Sequence, residues 1–186
     1  MSRRGMCRTA CAMPVAEDEP LTTRVDDFLV ISEVSEGPAF AEPIFQRKYR
    51  TSAPDFPYHV VSFWKRPDGA FEPVSYVHFW LRDSMMLIGG ACTDGNVLRR
   101  MSEAQRAAVD AAGGVNYLAT RFSLKRYGPM CDVVFGHCGD ARSFGILMRC
   151  GFQPVREPYL IAYWPRVLSE QRRTELIESA AAIGPF

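Results

Sequence analysis

Residues 59–92 contain three β-rich runs joined by links too short for a crossover: HVVSFWK (59–65), PVSYVHFWL (73–81) and MMLIGGAC (85–92). Strands so closely spaced can only fold back on one another, so this region specifies an antiparallel meander. The first link, Arg66-Pro67-Asp68-Gly69, supplies turn chemistry: proline fixes φ and glycine accepts positive φ. In the middle run Val77, Phe79 and Leu81 fall on one face and Tyr76, His78 and Trp80 on the other. A sheet built on this meander has two apolar faces, and each needs a covering layer.

The rest of the chain supplies the covers. DFLVISEV (27–34) reads as a first strand, and the proline-broken stretch after it as a short helix or two ending before Pro54. Beyond residue 95 the period becomes helical. Ser102 and Gln105 have capping-box spacing, Ala104, Ala107, Ala108 and Ala111 share a face, and Gly113 is placed to end the helix. Val115, Leu118, Ala119 and Phe122 begin a second helix that runs to Gly128-Pro129. CDVVFGH (131–137) is a continuous apolar run, as in a strand covered on both faces. A helix separates it from the meander, so it is free to pair parallel with the 85–92 strand. A one-faced helix with Phe144, Leu147, Met148 and Gly151 follows, then two strands, then a final helix over 168–183 capped by Ser169.

The 186 residues suit one domain, read as 21–186 behind a polar, proline-broken tail over 1–20. Net charge is +1, without the basic excess of nucleic-acid binders, and no run approaches the roughly 18 apolar residues of a membrane span. The expectation is a cytoplasmic protein, monomer or homodimer, that acts on neither nucleic acid nor membrane. Six cysteines show no Cys-x-x-Cys pair, so free thiols are expected, and a thiol-redox or metal role has little support.

The segment GDARSFGILMRCGFQPV (139–155) carries a more specific signal. It resembles the second conserved block of the GCN5-related N-acetyltransferase (GNAT) superfamily, with Asp140 in the block's Asn place, Ser143 in its small-residue place and Gly151-Phe152 closing it. The order of elements from about 27 to 167 also resembles that superfamily. The resemblance implies an α/β fold: one domain with a mixed, mostly antiparallel sheet, splayed between the 85–92 and 131–137 strands and flanked by helices. It further implies that the pantetheine arm of acetyl-CoA or another acyl-CoA threads the splay. The acceptor would be a small-molecule or peptide amine, acylated by direct attack.

The residues the resemblance brings to the coenzyme are Ile88, Gly89 and Gly90 on the third meander strand, Gly113, Gly114, Val115 and Asn116 at the 115–126 helix, and Asp140 and Ser143. DAAGGV (110–115) is the nearest match to the superfamily's pyrophosphate loop, with Asp110 and Val115 departing from it. CTDGN (92–96) is a rival loop, or a plain turn. The glycines of IGGA (88–91) suit a β-bulge, which in the superfamily presents a backbone donor to the acyl carbonyl, or else close packing against a helix.

The tyrosine that serves the superfamily as acid is leucine here, Leu147, and the 85–92 strand has no glutamate to act as base. His137, at the end of its strand, is the candidate base, because imidazole titrates in the useful range. It could equally line the site or serve the fold. Cys138 beside it should point to the opposite face if the strand continues. The alternative reading is a non-catalytic acyl-CoA-binding module.

Overall fold

The computed structural model describes residues 23–156 and 158–186; the tail expected over 1–20, with Cys7 and Cys11, lies outside the described residues. The elements run β1 (Leu29–Val34), α1 (Gly37–Tyr49), β2 (Tyr58–Lys65), β3 (Phe71–Arg82), β4 (Met85–Thr93), α2 (Gly95–Arg100), α3 (Glu103–Ala111), α4 (Val115–Tyr127), β5 (Val133–His137), α5 (Ala141–Arg149), β6 (Gln153–Arg156), β7 (Leu160–Tyr163) and α6 (Glu170–Ile183). The strands form one sheet in the order β1-β2-β3-β4-β5-β7-β6. Every pairing is antiparallel except β4 with β5. This is the mixed α/β sheet that the resemblance implies.

Side-chain alternation assigns the two faces. On one face Val60, Val77, Phe79, Met86, Ile88, Val134 and Ile161 pack with Ala119, Leu124 and Tyr127 of α4 and Leu147 of α5. On the other, Val61, Tyr76 and Cys92 meet Ala41, Ile44 and Phe45 of α1. Further along that second face, Met85, Leu87, Val133, Phe135 and Ala162 meet Leu176 and Ala180 of α6. β4 and β5 are thus covered on both sides, which accounts for their continuous apolar runs.

The segment between β4 and α4 differs from the sequence reading. CTDGN does not form a plain turn: Asp94 caps α2 by accepting from the Asn96 amide (2.9 Å), and its carboxylate pairs with Arg47. Gly95, inside α2, has no positive φ. A Cβ there would meet only the Arg99 guanidinium, at 3.5 Å. Gly95→Ala is therefore expected to raise stability by a few tenths to about 1 kcal/mol through the unfolded chain's lost freedom, read from urea unfolding midpoints. The α3 capping box forms as expected: Ser102 Oγ accepts from the Gln105 amide (3.1 Å) while the Gln105 side chain accepts from the Ser102 amide (3.0 Å). The alanine face of α3, however, is not the buried one. Ala104, Ala107 and Ala111 are exposed and Val109 is buried, packing with Met101 and Val115. Val109 buries more apolar area than any one alanine methyl, and its contacts with Met101 and Val115 set which side of α3 faces inward.

Candidate functional site

The β4–β5 ladder stops short. Met85, Met86, Leu87 and Ile88 pair with Val133, Val134, Phe135 and Gly136, and beyond Ile88 and Gly136 there is no further pairing, although β4 continues to Thr93. The cause lies on the other side of β4. Val77 faces Ala91 and Phe79 faces Ile88, so Gly89 and Gly90 together oppose the single residue His78. This two-against-one bulge bends β4. The gap between the strands opens into a cavity of about 200 Å³. Its walls are Ile88 to Ala91 from β4, Gly136 to Asp140 from the end of β5, Asn116 and Thr120 from α4, and Ser143, Ile146 and Leu147 from α5. Tyr49 of α1 and Phe186 line it as well. Since α4 and α5 cover one face of the sheet and α1 the other, the cleft passes between the two layers.

Both glycines of the bulge are required by one neighbour. A Cβ on Gly89 would lie 2.1 Å from His78 Nε2, and one on Gly90 would lie 3.2 Å from both His78 Cε1 and Phe45 Cζ. Bulge and close packing, posed as alternatives by the sequence, occur together. The Gly90 amide donates to His78 Nε2 (3.1 Å). His78 is buried, stacks on Phe56 (ring centroids 4.5 Å, interplanar 11°) and lies beside the His59–Tyr76 pair, whose Nδ1 and hydroxyl are 2.8 Å apart.

Burial, and secondarily His59, push the His78 imidazole down to about 4 from its ordinary 6.5. His78 is therefore neutral in the folded protein at pH 7. Below pH 6.5 the unfolded chain takes up a proton that the folded one refuses, so stability falls with pH until the folded group also titrates near 4. The expected loss at His78 is on the order of 3 kcal/mol across that window. Comparing the pH–stability profile with that of His78→Gln isolates it. Parallel profiles would contradict the buried neutral ring.

At the start of α5, Asp140 caps the helix by accepting from the Ser143 amide (2.7 Å). That bond holds its carboxyl below the ordinary carboxylate range, so it stays ionised at the cleft. Tyr49 comes from α1, and its hydroxyl donates to the Ala91 carbonyl (2.8 Å). Burial, with Cys92, Asp140 and Cys138 adding to it, pushes the Tyr49 phenol up to about 12. It is a protonated hydroxyl at neutral pH. His137 sits near Tyr159 and Phe186 (ring centroids 6.1 and 6.2 Å). Cys138 lines the same cavity as His137: the strand whose continuation would send the two to opposite faces ends at His137, and the chain leaves it there. Burial raises the Cys138 thiol, which rests on the Asp140 carbonyl (3.5 Å). Cys92, Cys131, Cys138 and Cys150 are all free thiols, and no group of three metal-ligating side chains occurs among the described residues.

The structure brings together Ile88, Gly89, Gly90, Asn116, His137, Asp140 and Ser143 in one cavity wall. It leaves Gly113, Gly114 and Val115 outside it. Gly113 and Gly114 hold positive φ (101° and 94°), and their amides donate to Asp110 and Val109 carbonyls (3.0 and 2.9 Å). They close α3 rather than offering two free amides to a ligand. The donors left over at the start of α4 are the amides of Val115, Asn116 and Tyr117, since the first intrahelical bond runs from Leu118 to Gly114 (3.1 Å). The inserted α2 and α3 do not carry this helix away from β4: Thr93 Oγ1 bonds Asn116 Oδ1 (2.7 Å), fixing the start of α4 to the end of β4. Arg149 of α5 braces the same loop through the Gly113 carbonyl (2.6 Å).

A single parallel pair within an otherwise antiparallel sheet, splayed beside a bulge, with α4 starting where β4 ends, is the arrangement implied for residues 27–167. The fold is GNAT-like. No protein-family model matches the chain, and no curated protein matches it in sequence. Similar solved structures exist. One is a Pyrococcus horikoshii protein assigned as an acetyltransferase, 13% identical, with a TM-score of 0.48 over 77% of this chain; the chain spans about half of that protein (47%). A second is the ribosomal-protein-S18-alanine N-acetyltransferase of Escherichia coli, 10% identical, TM-score 0.45, covering 76% of this chain and 97% of that one. A third is E. coli YhhK, assigned as an N-acetyltransferase and solved with coenzyme A, 12% identical, TM-score 0.47, covering 73% and 98%.

Sequence reading missed Tyr49, Thr120, Cys138 and Phe186 as wall residues. Tyr49 meets Ala91 across 42 residues of chain, and nothing local announces that contact. Thr120 had a readable signal: one turn after Asn116 it lies on the same side of α4, and it is buried.

Proposed function

We propose that this chain is an acyl-coenzyme A-dependent N-acyltransferase, most simply an acetyltransferase acting on a primary amine. The observation that carries the reading is the through-sheet cleft that opens where β4 and β5 cease to pair. A cleft between two strands, lined by both apolar and polar groups, suits an extended arm such as pantetheine, whose apolar chain is interrupted by amides. The amides of Val115, Asn116 and Tyr117, which find no partner among the described residues, suit the pyrophosphate, a role in which helix N-termini need no cationic side chain.

In this reading the amine nitrogen attacks the thioester carbonyl, the carbon–sulfur bond breaks, and the proton lost by nitrogen ends on the coenzyme's sulfur. His137 is the base assigned to the amine, being the imidazole on the cleft wall. Asp140 and Ser143 flank the arm. The acceptor is a small molecule or peptide, and the proposed setting is the cytoplasm, as monomer or homodimer. No helix among the described residues is long and apolar enough to cross a membrane.

Two observations favour a second reading, an acyl-CoA-binding module without turnover. Leu147 stands on the cavity wall and offers no proton. The bulge amide that would polarise an acyl carbonyl is already bonded to His78. Calorimetric titration with coenzyme A and acetyl-CoA, followed by thiol-release assays over a panel of amines, separates the possibilities. Binding with turnover supports the enzyme. Binding without turnover on any amine supports the module. Absence of binding at millimolar ligand removes both.

A further inference from the structure

The bulge does more than bend β4. Gly90 N–H points to the His78 ring, which lies over the two glycines, and Nε2 accepts it at 3.1 Å. The Gly89–Gly90 peptide is planar, with its N–H and C=O directed oppositely. The Gly89 carbonyl is therefore directed away from the His78 ring, and Gly89 stands on the cavity wall just past the end of the ladder. The His78 ring has no freedom to release the amide cheaply. It is 3% exposed, stacked on Phe56 and packed over both glycines, and its Nδ1 has no partner among the described residues.

We infer that His78 is a positioning residue that sets the hydrogen-bonding polarity of the cleft, turning its β4 edge at Gly89 into an acceptor. The group seated there is then a donor, and resting on the transferase reading it is the N–H of the acceptor amine rather than the acyl oxygen. An amine nitrogen held on a carbonyl keeps its lone pair free for attack, whereas an acyl carbonyl in the same place would face an oxygen lone pair. His78 thus selects which of the two reactants occupies the bulge.

The inference is testable without any ligand. In 15N-labelled protein at pH 7, long-range imidazole correlations should show His78 with Nδ1 protonated and Nε2 bare, and the Gly90 amide coupled to Nε2. A proton on Nε2 overturns the proposal. With ligands, titration of acetyl-CoA against coenzyme A reads whether a donor faces the acyl carbonyl. The parent protein should bind the two within about twofold of each other. His78→Leu, which removes the acceptor holding the Gly90 amide and so lets the Gly89–Gly90 peptide turn its N–H into the cleft, should shift the ratio at least about fivefold toward acetyl-CoA, and His78→Gln, which keeps an acceptor, should restore the parent ratio. An unchanged ratio in His78→Leu, or a strong preference for acetyl-CoA in the parent, also overturns it. If the leucine variant does not fold, the glutamine variant and the tautomer decide. If neither ligand binds the parent, the transferase reading fails while the tautomer still tests the role of His78.

Discussion

Replacing Gly89 by alanine is expected to destabilise the protein by about 2–4 kcal/mol, a large share of a small domain's stability. The added methyl would lie 2.1 Å from His78 Nε2 and 2.5 Å from Cδ2, distances that cannot persist. A flexible side-chain tip on the surface could move away at little cost. His78 cannot, because it is buried, stacked under Phe56 and bonded to Gly90. Overpacking of this kind costs about 1–3 kcal/mol, and losing the Gly90 bond adds about 1. The diagnostic step is the rescue. In a His78→Ala background the ring is gone and the alanine at 89 finds space, so the double variant should be more stable than the sum of the single changes by about 1–2 kcal/mol. Urea unfolding of the four proteins measures this. An unfolding midpoint for Gly89→Ala equal to that of the parent would show that the bulge is not held in this way.

The same contact shows how far the sequence can be read. The order of elements was legible because the patterns are clean: PVSYVHFWL alternates between two faces, and MMLIGGAC and CDVVFGH are continuous apolar runs. Two glycines in a strand announced a bulge, and Asp140 announced a helix cap, since both are local chemistry. What set the bulge was not local. Gly89 and His78 stand side by side only because β3 and β4 are in one register, and a shift of one residue would send His78 to the other face. The DAAGGV loop failed for a related reason. Its glycines were legible as glycines, but the partners of their amides depend on how α3 ends, and there the Asp110 and Val109 carbonyls took them. Tyr49 was illegible altogether, because its place on the wall is fixed by the packing of α1 across β4.

Ser143→Trp is expected to weaken coenzyme A binding at least about 100-fold, or about 2.7 kcal/mol, while leaving the fold intact. Ser143 lies in the first turn of α5, on the cavity wall opposite Gly89 and Gly90. Its amide is committed to Asp140, so the cap survives any side chain at this position. The indole has space before it, because the cavity of about 200 Å³ is bounded by, and not filled with, side chains of the described residues. The tryptophan therefore fills the cleft without displacing the core, and the melting temperature should change by no more than a few degrees, about 1 kcal/mol or less. Arg142→Trp is the control. It adds the same bulk one residue earlier, on an exposed position that does not line the cleft. Its affinity should stay within about threefold of the parent, roughly 0.7 kcal/mol. Calorimetric titration reads both variants, and a thermal melt checks that each is folded. Equal weakening in both would mean that bulk anywhere near the start of α5 disturbs binding. Parent-like affinity in Ser143→Trp would mean that the ligand does not enter between β4 and β5, and the transferase reading would lose the one observation that carries it.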